Sequence, residues 1–462
     1  MSIAVPYKYL IGGCRLRIAR CSPAVSPCEM QIRKLVCFLL LGVFLSLATL
    51  VAVASGSTAQ EKLVQTKWSD IHGINFVPTY AENTYEIWRN YDHAEVDREL
   101  RLAESVGFNS VRLWLNYAAF QEMGPEMLDH VEDALRLSAK YHLRAVMVLF
   151  DSCGVRPRKD AKLMSRREAY DLFQRSPRFS ADQKLLMQRL FGNFIQGIGG
   201  PTQVPVGSDS PMTVLLWGNW QPTPGNDRLG PEWYPKLEAY VDAVVGRFKD
   251  NPTIMLWDLM NEPEFASEGP LSTTEVITPE MQKTLDAFLQ HFHDYMKQHY
   301  RNELVCEGWA NVANAEKYAD SADVLTFHVY GGPEKVKAAI DKAQVFSEHL
   351  AKKVVITETL SDFDFGSPNF GKQAPPGHTQ LAHYQKVLPV LMNSGMGWMS
   401  FGLVSKQKNP LSESDLALFS SDGIPRPAAL YLRKRLRAAS AVKSLRDPHW
   451  NVIPTPKRDH DK

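Results

Sequence analysis

Residues 254–263 read IMLWDLMNEP, and this stretch decides the fold. Apolar and aromatic side chains run almost unbroken from Ile254 to Asp258, the pattern of a strand covered on both faces, and the run closes in Asn261, Glu262 and Pro263. Just before it, Trp233–Phe248 places Leu237, Tyr240, Val241, Val244, Val245 and Phe248 at helical spacing, and a Lys-Asp-Asn-Pro turn joins the two. A helix feeding a buried strand that ends in polar residues is one step of a (β/α)8 barrel, where chemistry gathers at the carboxyl ends of the strands. Glu262 is therefore a candidate for function rather than for solubility.

Working outward, the same alternation recurs. His72–Pro78 reads as a first strand and Ser110–Leu115 as a second, each followed by a helical stretch (Ala94–Val106 and Leu128–Tyr141). Arg112 lies between Val111 and Leu113; pointing inward it must be paired, because an unpaired buried charge is too costly, and pointing outward it would cap a loop. Leu143–Phe150 is the third strand, with Asp151 at its carboxyl end. Then comes a long excursion, Ser152–Glu232, far beyond the usual connection length, with a helix expected near Ala181–Ile195. It is expected to hang over the active face as a wall of the cleft, with Trp217 and Trp220 either stacking on a sugar ring or anchoring the loop. After Ile254–Asp258 come Asn302–Gly308 with Trp309 at its end, Ala322–Tyr330, Lys353–Thr357 closed by Glu358, and Gly397–Val404, separated by the helices Pro279–Tyr300, Glu334–Leu350 and Pro376–Asn393 and followed by Pro427–Ala438. His328 and Tyr330, two apart, face the same side of their strand. Eight pairs account for one α/β domain, a (β/α)8 TIM barrel with a long loop after its third strand, over residues 60–445; residues 446–462 form a basic surface tail.

Composition is that of a globular body: 44% hydrophobic and 22% charged, with a formal charge of +1 over 462 residues. Six Lys/Arg and one acidic residue precede Gln60, which leaves 46 basic against 50 acidic residues, or −4, in the rest. No basic surplus suggests nucleic acid as a partner. Arg33 and Lys34 precede an apolar run, Leu35–Ala54, and then Ser57 and Ala59 at the spacing a signal peptidase inspects. Residues 30–59 are read as a signal peptide or, since twenty apolar residues span a bilayer, a membrane anchor. Residues 1–29 are read as a misassigned start ahead of Met30. Either way the body is expected outside the cytoplasmic membrane, periplasmic or extracellular. Cys14, Cys21, Cys28 and Cys37 fall in that leader, and Cys153 with Cys306 are too few for a disulfide framework. Neither HExxH nor CxxC metal spacing nor a glycine-rich phosphate loop occurs, so no metal and no cofactor is expected, and no obligate protein partner is evident.

Two carboxylates, Glu262 and Glu358, thus end apolar strands at one level of the rim. Such a pair, about 5 to 5.5 Å apart, cleaves a glycosidic bond with retention of configuration. The chain resembles the retaining glycoside hydrolases of clan A, most closely family 5, through Asn261-Glu262-Pro263, Arg112, the His328-x-Tyr330 pair and Ile356-Thr357-Glu358. The resemblance covers the body from Gly73 to about Ala438. It implies a metal-independent β-glycosidase in which Glu262 is the general acid/base and Glu358 the nucleophile. It further implies that Asn261 bonds the sugar 2-hydroxyl, Tyr330 and Arg112 hold Glu358, and His328 lines the subsite. A catalytically inactive carbohydrate-binding barrel is the alternative.

Two departures from the family pattern stand out. Phe150-Asp151-Ser152 replaces a histidine after the third strand, and the aromatic platform of the last strand falls on either Phe401 or Trp398. Trp217, Trp220, Trp309, Trp398 and Phe401 supply stacking surfaces, with Asp151 a further lining residue. The expected partner is a β-linked oligosaccharide or polysaccharide, β-mannan or β-glucan ahead of xylan, while linkage and endo or exo action stay open.

Overall fold

The computed structural model of the protein describes residues 57–81, 83–152, 162–175, 181, 203–206, 223–225, 228–265, 279–360, 380–404 and 417–446, all within the unit Ser57–Lys462. Eight parallel strands close into a barrel: β1 (His72–Asn75), β2 (Ser110–Trp114), β3 (Arg144–Asp151), β6 (Ile254–Asn261), β7 (Val305–Trp309), β8 (Val324–His328), β9 (Lys353–Thr359) and β10 (Gly397–Ser400). Around the barrel the order is β1-β10-β9-β8-β7-β6-β3-β2, so β1 pairs with both β2 and β10 and the ring has no edge. This is the architecture expected from the sequence.

The helices pack their apolar stripes on the outside of the ring. In Tyr234–Phe248 the residues buried against the barrel are Leu237, Tyr240, Val241, Val244, Val245 and Phe248, each contributing about 1.5–3 kcal/mol of transfer free energy if large. Helix His93–Val106 starts where Asp92 accepts the Glu95 N–H at 3.1 Å and stops at Gly107, whose φ of 106° lies in the left-handed region. A smaller cluster fills the amino-terminal end of the barrel: Val146, Met255, Leu256, Cys306, Val324, Val355 and Met399 meet Trp68 and Ile71. Those two belong to the leader ahead of β1, where helix Ala59–Gln65 begins in a capping box between Thr58 and Glu61. Lys62 Nζ donates to Glu303 Oε1 at 2.7 Å, and Trp257 Nε1 donates to the other carboxylate oxygen, so the leader is tied to the barrel floor.

Several boundaries differ from the sequence reading. The strand read as Ile254–Asp258 runs on to Asn261, because register shifts on both sides of β6 let inward residues continue past Asp258. Glu358 lies within β9 rather than after it. Short helices Thr84–Arg89, Tyr117–Met123 and Val312–Lys317 follow β1, β2 and β7, each capped by an asparagine side chain. In the excursion, β4 (Lys162–Ser165) and β5 (Gln203–Val206) form an antiparallel pair, and Arg166–Arg175 is a helix. Trp217, Trp220, Cys153, the helix expected over 181–195 beyond Ala181, the apolar run 35–54 and the tail lie outside the described residues. Among the described residues no helix is long and apolar enough to cross a membrane. The Cys306 thiol is free and buried.

Candidate active site

Arg112 organises the carboxyl end of the barrel. It is wholly buried and engages all five of its N–H donors. Nη1 donates to Glu358 Oε1 at 2.6 Å and to Asn75 Oδ1 at 3.2 Å. Nη2 donates to Asn261 Oδ1 and to Asp258 Oδ2, both at 2.7 Å, and Nε donates to the same Asp258 oxygen at 3.2 Å. Burial alone would drive its pKa down, but the Asp258 and Glu358 carboxylates outweigh that and raise it, so the guanidinium stays charged. The inward orientation is therefore the one adopted, and the pairing that a buried arginine needs is complete.

Glu358 is held from both sides. Arg112 binds one oxygen and the Tyr330 hydroxyl donates to the other. Burial, then the Glu358 charge, pushes the Tyr330 phenol well above its ordinary range, so it remains a donor. Glu262 faces this carboxylate across the rim. His328 stands between them, its Nδ1 at 2.9 Å from Glu262 Oε1 and 3.5 Å from Glu358 Oε2, and one ligand atom from each of the three residues lies within 4.8 Å of the others. Burial lowers the His328 pKa to about 4, against the opposing pull of Glu358, which makes the imidazole neutral at ordinary pH. Its Nε2 is buried without a hydrogen-bond partner among the described residues. The same three groups form a set whose spacing would suit a metal ion. Yet both Glu358 oxygens are already bound by Arg112 and Tyr330, an arrangement that fits an anion held for chemistry better than an open ligand.

The Glu262 backbone carries a φ of 46°, in the left-handed region that a side chain with Cβ rarely adopts. It is pinned there by its neighbours. Glu262 N donates to Gly308 O at 2.7 Å, and the Ser152 hydroxyl donates to Glu262 O while Ser152 N donates to Asn261 O at 3.1 Å. Ser152 and Gly308 thus aim the carboxylate into the cleft, and neither was a candidate from the sequence. The only signal in the sequence was the change from a long apolar strand to Asn261, Glu262 and Pro263.

The remaining candidates separate into two groups. Asn261 joins the cluster, its amide nitrogen donating to Asp151 Oδ1 at 3.0 Å, so the buried Asp151 orients Asn261 rather than lining an open surface. Phe401 is half-buried at the rim, edge-on to Trp114 at a centroid distance of 6.3 Å, and Trp114 in turn lies 4.9 Å beneath the Arg112 guanidinium. Trp398 is a correction: it is 1% exposed and packs edge-on against His72 at 5.2 Å, on the helix side of β10 and away from the rim. Trp309 is another, since it is 2% exposed and stacked on Tyr318 at 4.4 Å, which leaves it no open face toward a sugar. Strand parity explains the contrast between the β10 aromatics. Phe401 shares the inward face with Met399, whereas Trp398 shares the outward face with Ser400, whose hydroxyl meets Tyr384 on helix Gln380–Met392. Two further inward residues escaped the sequence reading: Asn75, whose Nδ2 donates to Thr357 O and Ser400 O, and Asp258.

No family model matches the chain. A probable mannan endo-1,4-β-mannosidase C of Aspergillus terreus (strain NIH 2624 / FGSC A1156) is 26% identical over a 129-residue alignment that covers 24% of this chain and 32% of that protein, so the match spans about a third of the relative's length. An exo-β-1,4-mannosidase from Opitutaceae bacterium strain TAV5 aligns with a TM-score of 0.50 at 16% identity, covering 80% of this chain and 60% of that one. A family 5, subfamily 18 glycoside hydrolase from Streptomyces cattleya, in complex with Manβ1-4GlcNAc, gives a TM-score of 0.50 at 14% identity over 84% of this chain and 83% of that one. In fold, and weakly in sequence, the chain is similar to the glycoside hydrolases of clan A that its strand-end residues resemble.

Proposed function

We propose that this protein is a retaining β-glycosidase that cleaves β-linked oligosaccharides by two displacements at Glu358, with Glu262 as acid and then base. The observation that carries the proposal is the approach of the two carboxylates, with ligand oxygens of Glu262 and Glu358 within 4.8 Å of each other around His328. A retaining pair stands about 5–5.5 Å apart, whereas an inverting pair needs about 6.5–9.5 Å to admit a water between acid and base. An oxygen-to-oxygen approach within 4.8 Å supports the first reading.

In the first displacement a Glu358 oxygen attacks the anomeric carbon, the glycosidic bond breaks, and Glu262 gives its proton to the departing oxygen. In the second, Glu262 takes a proton from water, whose oxygen attacks the same carbon from the opposite side and releases Glu358. Arg112 and Tyr330 keep the nucleophile aimed, since both of its oxygens accept from fixed donors. A neutral His328 can serve both half-reactions, because Nδ1 accepts from protonated Glu262 in one tautomer and donates to its carboxylate in the other. Asn261, held by Asp151 and Arg112, is placed to read the hydroxyl next to the anomeric carbon. The mannosidase and mannanase relatives support a β-linked hexose substrate, with β-mannan-type chains first. Turnover of defined manno-, gluco- and xylo-oligosaccharides, with the first-formed anomer read by nuclear magnetic resonance, tests both halves. The β-anomer from a β-linked hexose is expected; an α-anomer overturns retention, and exclusive turnover of xylo-oligosaccharides overturns the hexose assignment.

A further inference from the structure

We infer that Glu264 is a positioning residue for Glu262: clamped to the end of β7 by Asn311 and Asn314, it holds the turn that presents the acid/base carboxyl; the inference rests on the glycosidase reading above. Pro263–Phe265 is a short 3-10 helix that starts directly after Glu262. Within it, Glu264 Oε1 accepts from Asn311 Nδ2 at 2.9 Å and from Asn314 Nδ2 at 3.0 Å. Its other oxygen is buried with no hydrogen-bond partner among the described residues. A carboxylate kept for solubility would turn both oxygens to water, because burying an unpaired one costs free energy. The direction of the clamp is set as well. Asn311 caps helix Val312–Lys317, its Oδ1 accepting from Ala313 N and Asn314 N at 3.0 Å each, so its Nδ2 is the end that faces Glu264.

The need for a clamp lies in the backbone of Glu262. A φ of 46° is unfavourable for a residue with a Cβ, and a residue before proline ordinarily takes extended backbone. Such a conformation persists only where its surroundings over-determine it. The bonds from Glu262 N to Gly308 O and from the Ser152 hydroxyl to Glu262 O hold the two peptide groups that flank the residue. Beyond them Pro263 has no N–H to contribute, and the next tether along the chain is the Glu264 side chain. Gly308 lies on β7, and Asn311 and Asn314 cap and form the helix that follows it, so one element grips the turn at both ends. His328 bonds the Glu262 carboxyl itself, whereas the clamp fixes the backbone that carries it. Released at its far end, the turn lets the carboxyl drift from the departing oxygen, which a general acid must reach within hydrogen-bond distance.

The test is the double variant Asn311→Ser, Asn314→Ala, which removes both donors, keeps a capping oxygen on the helix and leaves every charge in place. Its kcat/KM, which reports formation of the glycosyl-enzyme, is compared with wild type on dinitrophenyl and on phenyl β-mannosides and β-glucosides. The phenyl leaving group needs the proton, so its kcat/KM should fall at least about tenfold, while the dinitrophenyl value stays within about twofold. Equal losses on both overturn the inference, because a residue needed only for folding lowers the amount of active enzyme and scales every substrate alike. A phenyl value within about twofold of wild type overturns it too. If the double variant does not fold cooperatively, Asn314→Ala carries the test alone: a loss of at least about threefold confined to the phenyl glycosides is expected, and no selective loss overturns the inference. Glu262→Ala keeps the two readings apart. If it loses no more on phenyl than on dinitrophenyl glycosides, or if wild type turns over neither, the glycosidase reading falls and this inference with it. A selective loss in Glu262→Ala without one in the clamp variants overturns the inference alone.

Discussion

Replacing Glu262 by alanine or by glycine separates two properties that the site combines in one residue. Both variants remove the carboxyl group and so the proton for the leaving oxygen. General acid catalysis contributes about 10²–10⁴ in rate, or about 2.7–5.4 kcal/mol at 1.36 kcal/mol per decade, and the loss should fall on substrates with poor leaving groups. A dinitrophenyl β-glycoside, whose leaving group needs no proton, should form its glycosyl-enzyme within about tenfold of the wild-type rate. The two variants then part in stability. With φ at 46°, a residue bearing Cβ costs about 1–2 kcal/mol, and relief by glycine is offset by about 0.5–1 kcal/mol of extra chain entropy. Glu262→Gly should therefore exceed Glu262→Ala by about 0.5–1 kcal/mol, a rise in thermal midpoint on the order of 1–2 °C for a domain of this size. Stopped-flow bursts on activated and unactivated glycosides, together with calorimetry of both variants, provide the assay. Equal losses on good and poor leaving groups would refute the acid assignment, and an alanine variant as stable as the glycine one would refute the account of strain.

Other expectations follow from particular groups. Phe401→Ala should raise KM by about three- to tenfold through lost ring contact, measured by steady-state kinetics on oligosaccharides. Trp398→Ala should leave KM unchanged and cost about 3–5 kcal/mol in denaturant unfolding, because its ring is core. Glu307 is a buried carboxyl whose pKa is pushed up to about 8 by burial and then by Asp258 and Asp323, and its Oε2 has no hydrogen-bond partner among the described residues. The folded state therefore keeps a proton that the unfolded chain releases from about pH 4.5, and the stability this gives is lost as pH rises toward 8. Glu307→Gln should gain on wild type progressively between pH 5 and about 8 in thermal midpoint, and a constant gap would contradict the protonated state.

Legibility in the sequence followed the contrast between side chain and surroundings. Glu262, Glu358 and Arg112 stood out because a charge at the end of, or inside, an apolar strand must be functional, paired or both, and all three meet in one cluster. Asp258 was visible but was taken for the last residue of its strand. The register shifts in β6 carry the chain three residues further and turn Asp258 inward, and no single-residue pattern announces a bulge. Trp309 was read as a stacking surface, and the last-strand platform was left between Phe401 and Trp398, for a related reason. An aromatic near a strand end looks alike whether it faces the cleft or the helices, and a shift between Trp398 and Ser400 against β9 leaves only the fold to settle parity. The β4–β5 pair was missed because its strands are four residues each and Pro205 breaks the expected pattern. Asn75 sits beside Arg112 in the β1–β2 register, a pairing that becomes visible only once the barrel is closed.

The most direct measurement of the central claim is the identity of the residue that takes the sugar. Incubation with 2-deoxy-2-fluoro-β-mannosyl and β-glucosyl fluorides, followed by digestion and peptide mass spectrometry, should place one glycosyl group on Glu358 and inactivate the enzyme in step with labelling. Label on Glu262, or steady turnover with no covalent adduct on any peptide, would contradict the account.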